Sequence, residues 1–446
     1  MERVQRRPFS LHPTQVVVLG FVGVTLVGTL LLMLPFASTN GASPLEAFFT
    51  ATSAVCVTGH IVVDTSMHWT PAGHVIIAVL AQIGGLGVMS IATLLGLLVA
   101  RRLGLRSRMN TANETHSLNP GDVRAVIFGV FLTTAIVEAV VTLALTIRFA
   151  SEYRMSFIDA LGTGAFHAVA AYTNAGFSTF SDSLMGYVGD PFIILPIAAA
   201  IIIGGIGFPV ILELWRRYKV PVMWSMHTKL VLSSTVVLLL GGWFVLTAIE
   251  WSNPRTLGPL DWPTKLLAGF FASVTPRSGG FNSIDVGQMD SASWLVTDVL
   301  MFIGGGPAGT AGGLKVTTFS ALLFVVWTEI RGEGAVHIFG KRLSSAVIRE
   351  ATAVALLAVA AVMGSTIAIM MMTHIDLDRI LFEVISAFAT VGLSTGITAD
   401  LPIAAQLILC VLMFLGRLGP IALASSLALK RTTRLYEYPE ERPIIG

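Results

Sequence analysis

Phe48-Phe49-Thr50-Ala51-Thr52-Ser53-Ala54-Val55-Cys56-Val57-Thr58-Gly59-His60 is an apolar segment too short to cross a bilayer, and it ends in small polar residues and a glycine. The pattern returns three times along the chain. Its second copy is Phe166-His167-Ala168-Val169-Ala170-Ala171-Tyr172-Thr173-Asn174-Ala175-Gly176-Phe177, and its third is Phe270-Phe271-Ala272-Ser273-Val274-Thr275-Pro276-Arg277-Ser278-Gly279-Gly280-Phe281. The fourth is Val384-Ile385-Ser386-Ala387-Phe388-Ala389-Thr390-Val391-Gly392-Leu393-Ser394-Thr395-Gly396-Ile397. Phe49, Phe166 and Phe270 each stand ten residues before their glycine, and Ser386 takes that place before Gly396.

Working outward, a long apolar run precedes each copy and another helix follows it. Runs at 14–35, 75–100, 123–149, 190–214, 229–249, 346–372 and 402–427 can each span the ~30 Å of hydrocarbon as a helix. The first is not expected to be a cleavable signal, because no small-residue cleavage site follows it. Each following helix carries a second glycine cluster: Gly84-Gly85-Leu86-Gly87, Gly204-Gly205-Ile206-Gly207, Gly304-Gly305-Gly306 and Gly416-Arg417-Leu418-Gly419. The unit is therefore helix, short re-entrant segment, glycine-bearing turn, helix. Its copies are read as residues 1–105, 106–219, 220–345 (with a broken second helix) and 346–446 (with a C-terminal tail).

Composition agrees. The chain is 54% apolar and 12% charged, with a mean hydropathy of +0.79, too little charge for a soluble surface of this length. Arg3, Arg6 and Arg7 precede the first helix; Arg101, Arg102, Arg106 and Arg108 follow the second. Later alternate gaps hold Arg216, Arg217 and Lys219, then Arg331, Lys341, Arg342 and Arg349, and last Lys430, Arg431 and Arg434. The positive-inside rule then places both termini and every second loop in the cytoplasm, which requires an even number of spans, eight here. The loops near 101–122 and 331–349 are docking surfaces for a cytosolic partner or plain connectors. Asn113-Glu114-Thr115 matches the glycosylation pattern, but on the cytoplasmic side. Cys56 and Cys410 form no disulfide framework.

Two spans per unit make the copies parallel, about an axis along the membrane normal, whereas inverted-repeat transporters place theirs antiparallel. The fold expected is an all-α polytopic membrane protein. Eight transmembrane helices and four re-entrant pore helices, in four parallel helix–pore-helix–filter-loop–helix repeats, surround one pseudo-fourfold pore. A cation leaving water needs oxygens in place of its hydration shell, and rings of backbone carbonyls supply them. Turning carbonyls to one axis takes backbone angles that favour glycine. Val57, Thr58 and Gly59; Asn174, Ala175 and Gly176; Ser278, Gly279 and Gly280; and Ser394, Thr395 and Gly396 are the candidate filter. The C-terminal dipole ends of the preceding helices would favour a cation there.

The second span of the third unit is interrupted by Gly304, Gly305, Gly306, Pro307, Ala308, Gly309, Thr310, Ala311, Gly312 and Gly313, a density of glycine plus proline that no helix survives. Gly304, Gly306 and Gly309 match G-x-G-x-x-G, but no βαβ unit surrounds them. Arg417, within the last helix, would repel a passing cation if it faced the pore, or be a structural arginine held by loop carbonyls. Lys315 anchors the glycine loop or snorkels to the surface. Arg277 braces the third filter loop, pairs with an acid or faces water. Glu138 is read as locally hydrogen-bonded rather than paired across a subunit interface, and His167 as a packed histidine rather than a metal ligand. No nucleophile–base set points to an enzyme.

The chain resembles the Trk/Ktr/HKT superfamily of potassium transporters, its bacterial KtrB-type membrane subunit in particular, from about residue 13 to residue 429. The resemblance rests on residues 52–59, 173–177, 304–315 with Val316-Thr317-Thr318-Phe319, and 416–420. It implies potassium as the transported ion, held at the filter carbonyls, and no cofactor in this chain. It further implies a homodimer with one pore per subunit in a bacterial cytoplasmic (inner) membrane, and a cytosolic nucleotide-binding regulatory ring of the KtrA type. Residues 304–313 would then form an intramembrane gate beneath the filter that the ring pulls aside. Nucleic acid is not an expected partner. His60 stands where an apolar residue is expected, and the third loop reads Ser-Gly-Gly where Thr-Ala-Gly is common in the family. With no Gly-Tyr-Gly, selectivity looser than a true potassium channel's is implied, so sodium permeation or sodium activation stays open. A coupled alternating-access transporter is a further alternative; its opposed broken helices are not expected, since one helix break is legible.

Overall fold

In a computed structural model, residues 13–87, 90 and 122–419 are described. The basic residues at 3–7, 101–108 and 430–434, and Asn113, lie outside them. Among the described residues, four helices are long and apolar enough to cross a membrane: α1 (Pro13–Leu32), α5 (Asp122–Ser151), α9 (Met226–Glu250) and α13 (Ser345–Met370). Only 22 to 39% of the residues in their most apolar stretches are buried by protein. Leu30, Phe128, Phe244 and Leu356 stand exposed on them, which suits hydrocarbon and no aqueous surface.

Each long helix packs on a short one: α2 (Pro44–Val55), α6 (Phe157–Tyr172), α10 (Trp262–Val274) and α14 (Leu377–Phe388). These have 12, 16, 13 and 12 residues, roughly 18–24 Å at 1.5 Å per residue, too short to span. Local chemistry sets their starts. Ser43 and Glu46 form a reciprocal capping box at α2, with Pro44 in its first turn, and Ser156 caps α6 through the Asp159 N–H at 3.2 Å. Their ends are set by left-handed residues within three positions of each C-cap.

A one-turn helix, α3 (Thr65–His68), leads into α4 (Pro71–Gly87). The remaining second-half helices are α7 (Pro191–Ile206) with α8 (Phe208–Arg217), α11 (Ser291–Phe302) with α12 (Val316–Ile330), and α15 (Ile403–Leu418). Residues 303–315 break the third unit where glycine and proline require it. The expectation of a single break is corrected. α7 and α8 are bent by 98° at Gly207, whose φ of +97° no helix contains. The all-α expectation needs a smaller correction, a hairpin of β1 (His337–Ile338) and β2 (Lys341–Arg342). Phe339 and Gly340 turn it with φ of +48° and +75°, the two positive angles of a type I′ turn. α15 packs on α2 as well as on α14, and α10 packs on α7, so the first and fourth units meet as the second and third do. Cys56 and Cys410 are free, buried thiols.

Candidate functional site

Beyond each short helix the chain enters the left-handed region twice, two residues apart. The pairs are Val57 (+56°) and Gly59 (+85°), Asn174 (+62°) and Gly176 (+67°), Ser278 (+70°) and Gly280 (+73°), and Thr390 (+49°) and Gly392 (+88°). For a residue with a side chain this region costs about 1–2 kcal/mol. Four such residues at matching positions are strain held in place by their surroundings, as functional sites hold it.

The four glycines close a ring. A Cβ built on Gly59 would lie 3.1 Å from Gly176 Cα, and one on Gly176 2.6 Å from Gly280 Cα. A Cβ on Gly280 would lie 2.5 Å from the Val391 carbonyl oxygen. On Gly392 it would lie 2.9 Å from the Gly59 carbonyl carbon and collide with the Thr58 carbonyl oxygen. No larger residue permits this mutual approach. Val57–Gly59, Asn174–Gly176 and Ser278–Gly280 thus lie together around these glycines.

The fourth loop differs. Thr390, Val391 and Gly392 complete the ring, and Ser394, Thr395 and Gly396 do not. Gly396 is also left-handed, at +91°, but a Cβ there would meet nothing within 4 Å. Ser394 and Thr395 instead donate to the Glu383 carboxylate, the Ser394 Oγ at 2.7 Å and the Thr395 N–H at 2.8 Å. The sequence contained the signal: Phe382 precedes Gly392 by the same ten residues that separate Phe49, Phe166 and Phe270 from their glycines.

The loop amides turn back to their own helices. Thr58 N–H donates to the Ser53 carbonyl at 2.8 Å, Ala175 to Ala170 at 2.7 Å, Val391 to Ser386 at 2.8 Å and Gly279 to Thr275 at 2.7 Å. Their carbonyls are left over. Among the described residues, none of the main-chain carbonyls of 57–59, 174–176, 278–280, 391 and 392 accepts a hydrogen bond from the protein. A buried carbonyl is ordinarily paired, so a ring of unclaimed ones fits a cation as partner. The short helices deliver their negative dipole ends to the same place.

Residues 303–315 lie at the base of this ring. Thr310 Oγ1 donates to the Tyr172 carbonyl at 3.2 Å, the Gly312 N–H to Ser278 Oγ at 3.1 Å, and Gly313 faces Ala389. Two broken helices complete each other here. The Gly204 and Gly205 carbonyls, left without helical partners by the bend at Gly207, accept from Thr310 N–H at 3.0 Å and Gly306 N–H at 2.8 Å. Phe208 N–H, the first of α8, donates to the Ala308 carbonyl at 3.3 Å. Non-helical backbone at membrane depth survives when its polar groups are satisfied in this way. Gly304 N–H and Gly305 carbonyl pair with Leu314 and Val316 and close the loop's base. Gly309 N–H folds back on the Gly306 carbonyl at 3.3 Å.

Two cations hold this loop. Arg417, 4% exposed, donates to the Thr310 carbonyl and, at 3.1 Å, to the Gly84 carbonyl, tying the loop to α4 and α15. Lys315 Nζ donates to the Ala311 carbonyl at 2.5 Å, bracing the loop from within. Arg277 is buried and, among the described residues, pairs with no acid: its guanidinium donates to Thr235 Oγ1 on α9 at 3.3 Å. Glu138 accepts from Gln82 Nε2 at 3.2 Å. His167 is a packed histidine, bonded to the Thr163 carbonyl at 2.8 Å and Ser178 Oγ at 3.0 Å, and stacked on Phe180 and Phe281.

Residues 4–432 match the TrkH family, described as cation transport protein. The chain is 39% identical to the Ktr system potassium uptake protein B of Bacillus subtilis, over 97% of each. To the protein of the same name in Vibrio alginolyticus it is 36% identical, over 97% of this chain and 94% of that one. It is 35% identical to the potassium/sodium uptake protein NtpJ of Enterococcus hirae, over 100% of this chain and 99% of the relative. Its fold is similar to the crystal structure of the potassium transporter TrkH from Vibrio parahaemolyticus, with a TM-score of 0.74 over 96% of this chain and 87% of that one, at 17% identity.

Proposed function

The chain belongs to the TrkH family of cation transport proteins, and on that premise we propose that it is a potassium uptake transporter of the Ktr/Trk type whose ion path runs through the ring of four loops. Its relatives are named as transporters, and it is not an enzyme. The ring of unclaimed carbonyls at 57–59, 174–176, 278–280 and 391–392 carries this reading. Potassium would shed water there onto carbonyl oxygens, aided by four helix C-termini of roughly half a negative charge each. The filter is thus Val57, Thr58, Gly59, Asn174, Ala175, Gly176, Ser278, Gly279, Gly280, Thr390, Val391 and Gly392, with four parallel repeats around it.

Gly304, Gly305, Gly306, Gly309, Gly312 and Gly313, with Lys315 and Arg417, form the gate below. A fixed guanidinium about 4 Å from a passing cation opposes it by about 4 kcal/mol at an effective dielectric near 20, close to a thousandfold in occupancy. Opening requires the loop to release the carbonyls of Gly204, Gly205 and Tyr172 that it now occupies. Two relatives are named as parts of a Ktr system, which supports a cytosolic nucleotide-binding regulatory ring as the agent of release, on a homodimer with one pore per subunit. The protein sits in a bacterial cytoplasmic membrane with both termini cytoplasmic.

Rescue of potassium uptake in a transport-deficient cell tests the reading. Wild type is expected to restore growth at low potassium, and Gly176→Ser, which forces atoms into the ring, to abolish it at equal expression. Full rescue by Gly176→Ser would overturn the filter. A second reading, sodium as co-permeant or activator, is favoured by the name of the Enterococcus relative. Uptake that requires external sodium, or sodium influx blocked by potassium, would establish it.

A further inference from the structure

Glu383 is a carboxylate buried to 1% exposure on α14, nine residues before the ring glycine Gly392. Four bonds converge on it: Ser394 Oγ at 2.7 Å, Thr395 N–H at 2.8 Å, Thr395 Oγ1 at 3.1 Å and Thr398 Oγ1 at 2.8 Å. Ser394, Thr395 and Gly396 thereby acquire a use other than lining the ring. They wrap the outer segment of the fourth unit around this acid, and left-handed Gly396 turns the chain so that Thr398 returns to it. On its other side stands His60, its Nδ1 3.6 Å from Glu383 Oε2. His60 immediately follows Gly59, is 0% exposed, and neither ring nitrogen has a hydrogen-bond partner.

The repeats show why this contact matters. Position +1 after the ring glycine holds His60, Phe177, Phe281 and Leu393, and position −9 holds Thr50, His167, Phe271 and Glu383. Between the second and third units these positions touch, Phe281 of the third stacking on His167 of the second at 5.9 Å. His60 and Glu383 make the same contact between the fourth unit and the first. In both units the −9 residue also bonds the hydroxyl two places past the glycine, Ser178 or Ser394. Of the ring's four seams, the one between the second and third units is thus closed by stacked rings and the one between the fourth and first by a buried acid facing a histidine. His60, the polar residue at the otherwise apolar +1 position, meets the acid at the −9 position. A buried carboxylate beside an unpartnered imidazole is costly unless each serves the other. The four hydrogen bonds to Glu383 are directional and fix its carboxylate against His60 more sharply than apolar packing would.

We propose that Glu383 and His60 are a positioning pair that sets the spacing of the first and fourth loops, where Gly392 packs on Thr58 and Gly59, and so sets the discrimination between potassium and sodium. The proposal rests on the ring being the ion filter.

The test compares KM for potassium and for sodium in proteoliposomes holding the full chain, with its regulatory partner where flux requires it. Glu383→Gln is expected to lower the ratio of sodium KM to potassium KM about tenfold, the scale of a ~1.4 kcal/mol change in differential binding. Glu383→Asp, which keeps the charge, should hold the ratio within about threefold of wild type. His60→Gln leaves the four bonds to Glu383 and the fold of the outer segment intact, and it should lower the ratio in the same direction. Loss of folded protein reduces Vmax for both ions alike and leaves the ratio alone. An unchanged ratio in both Glu383→Gln and His60→Gln therefore overturns the proposal. Gly176→Ser, across the ring, separates the two levels. If it abolishes uptake while the pair leaves the ratio unchanged, only the positioning role falls; if it leaves uptake intact, the filter falls with it.

Discussion

Replacing Gly392 by alanine inserts one methyl group where the fourth loop meets the first. At φ +88° an L-residue is strained by about 1–2 kcal/mol. The new Cβ would overlap the Thr58 carbonyl oxygen and stand 2.9 Å from the Gly59 carbonyl carbon, and overpacking of this kind costs about 1–3 kcal/mol. The sum, roughly 2–5 kcal/mol, can be relieved only by pushing the Thr58 carbonyl from its place, so it falls on the carbonyls proposed to bind the ion. At 1.4 kcal/mol per tenfold, the expected loss of potassium affinity runs from roughly thirtyfold to roughly four-thousandfold. Gly396→Ala is the control. Its φ of +91° brings comparable strain, but its Cβ meets nothing within 4 Å, so the strain stays in the outer segment and potassium KM should move by less than about threefold. Initial rates of potassium flux into proteoliposomes, over a concentration series and at matched protein content, measure both. Equal effects from the two variants, or a Gly392→Ala variant with wild-type KM, would refute the assignment of Thr390, Val391 and Gly392 to the ring.

Arg417→Ala removes the bonds to the Thr310 and Gly84 carbonyls and the fixed positive charge. Potassium flux without the regulatory partner should rise about tenfold or more, since each charged hydrogen bond holding the loop is worth about 1.5–3 kcal/mol; unchanged flux counts against the gate. Ser278→Ala deletes the hydroxyl that reaches the Ala389 and Thr390 carbonyls at 3.1 and 2.9 Å and accepts from Gly312 N–H. It should loosen the filter and the gate together, seen as raised potassium KM and raised basal leak in one variant. Asp190→Ala removes the cap on Phe192 N–H at 3.0 Å and the partner of Arg148 and Tyr153. The cap alone should lower stability by about 1–2 kcal/mol, read as a lower unfolding temperature in detergent with ion selectivity unchanged.

Much of the fold was legible in the chain. Hydropathy marks the long helices, Ser43 with Glu46 and Ser156 start two of the short ones, and 304–313 announces its own break, because each is a property of neighbouring residues. The fourth loop was less legible. Thr390-Val391-Gly392 and Ser394-Thr395-Gly396 are alike as local strings, both end in a left-handed glycine, and only the phenylalanine spacing from Phe382 tells them apart. The bend at Gly207 was hidden for a related reason. Gly204-Gly205-Ile206-Gly207 within an apolar run can continue as helix, and it breaks here because a loop from the next unit takes up the freed carbonyls.

The sequence by itself determined that the chain crosses a membrane, that four similar units each carry a short helix and a glycine turn, and that the third unit is interrupted. Only the tertiary structure decided which glycine of the fourth unit closes the ring, which carbonyls Arg417 holds, and that His60 meets Glu383. Periodicity and turn chemistry act over a few residues and can be read along the chain. Ring closure, a shared buried charge and the mutual repair of two broken helices join residues from different units, and their partners exist only once the units have packed.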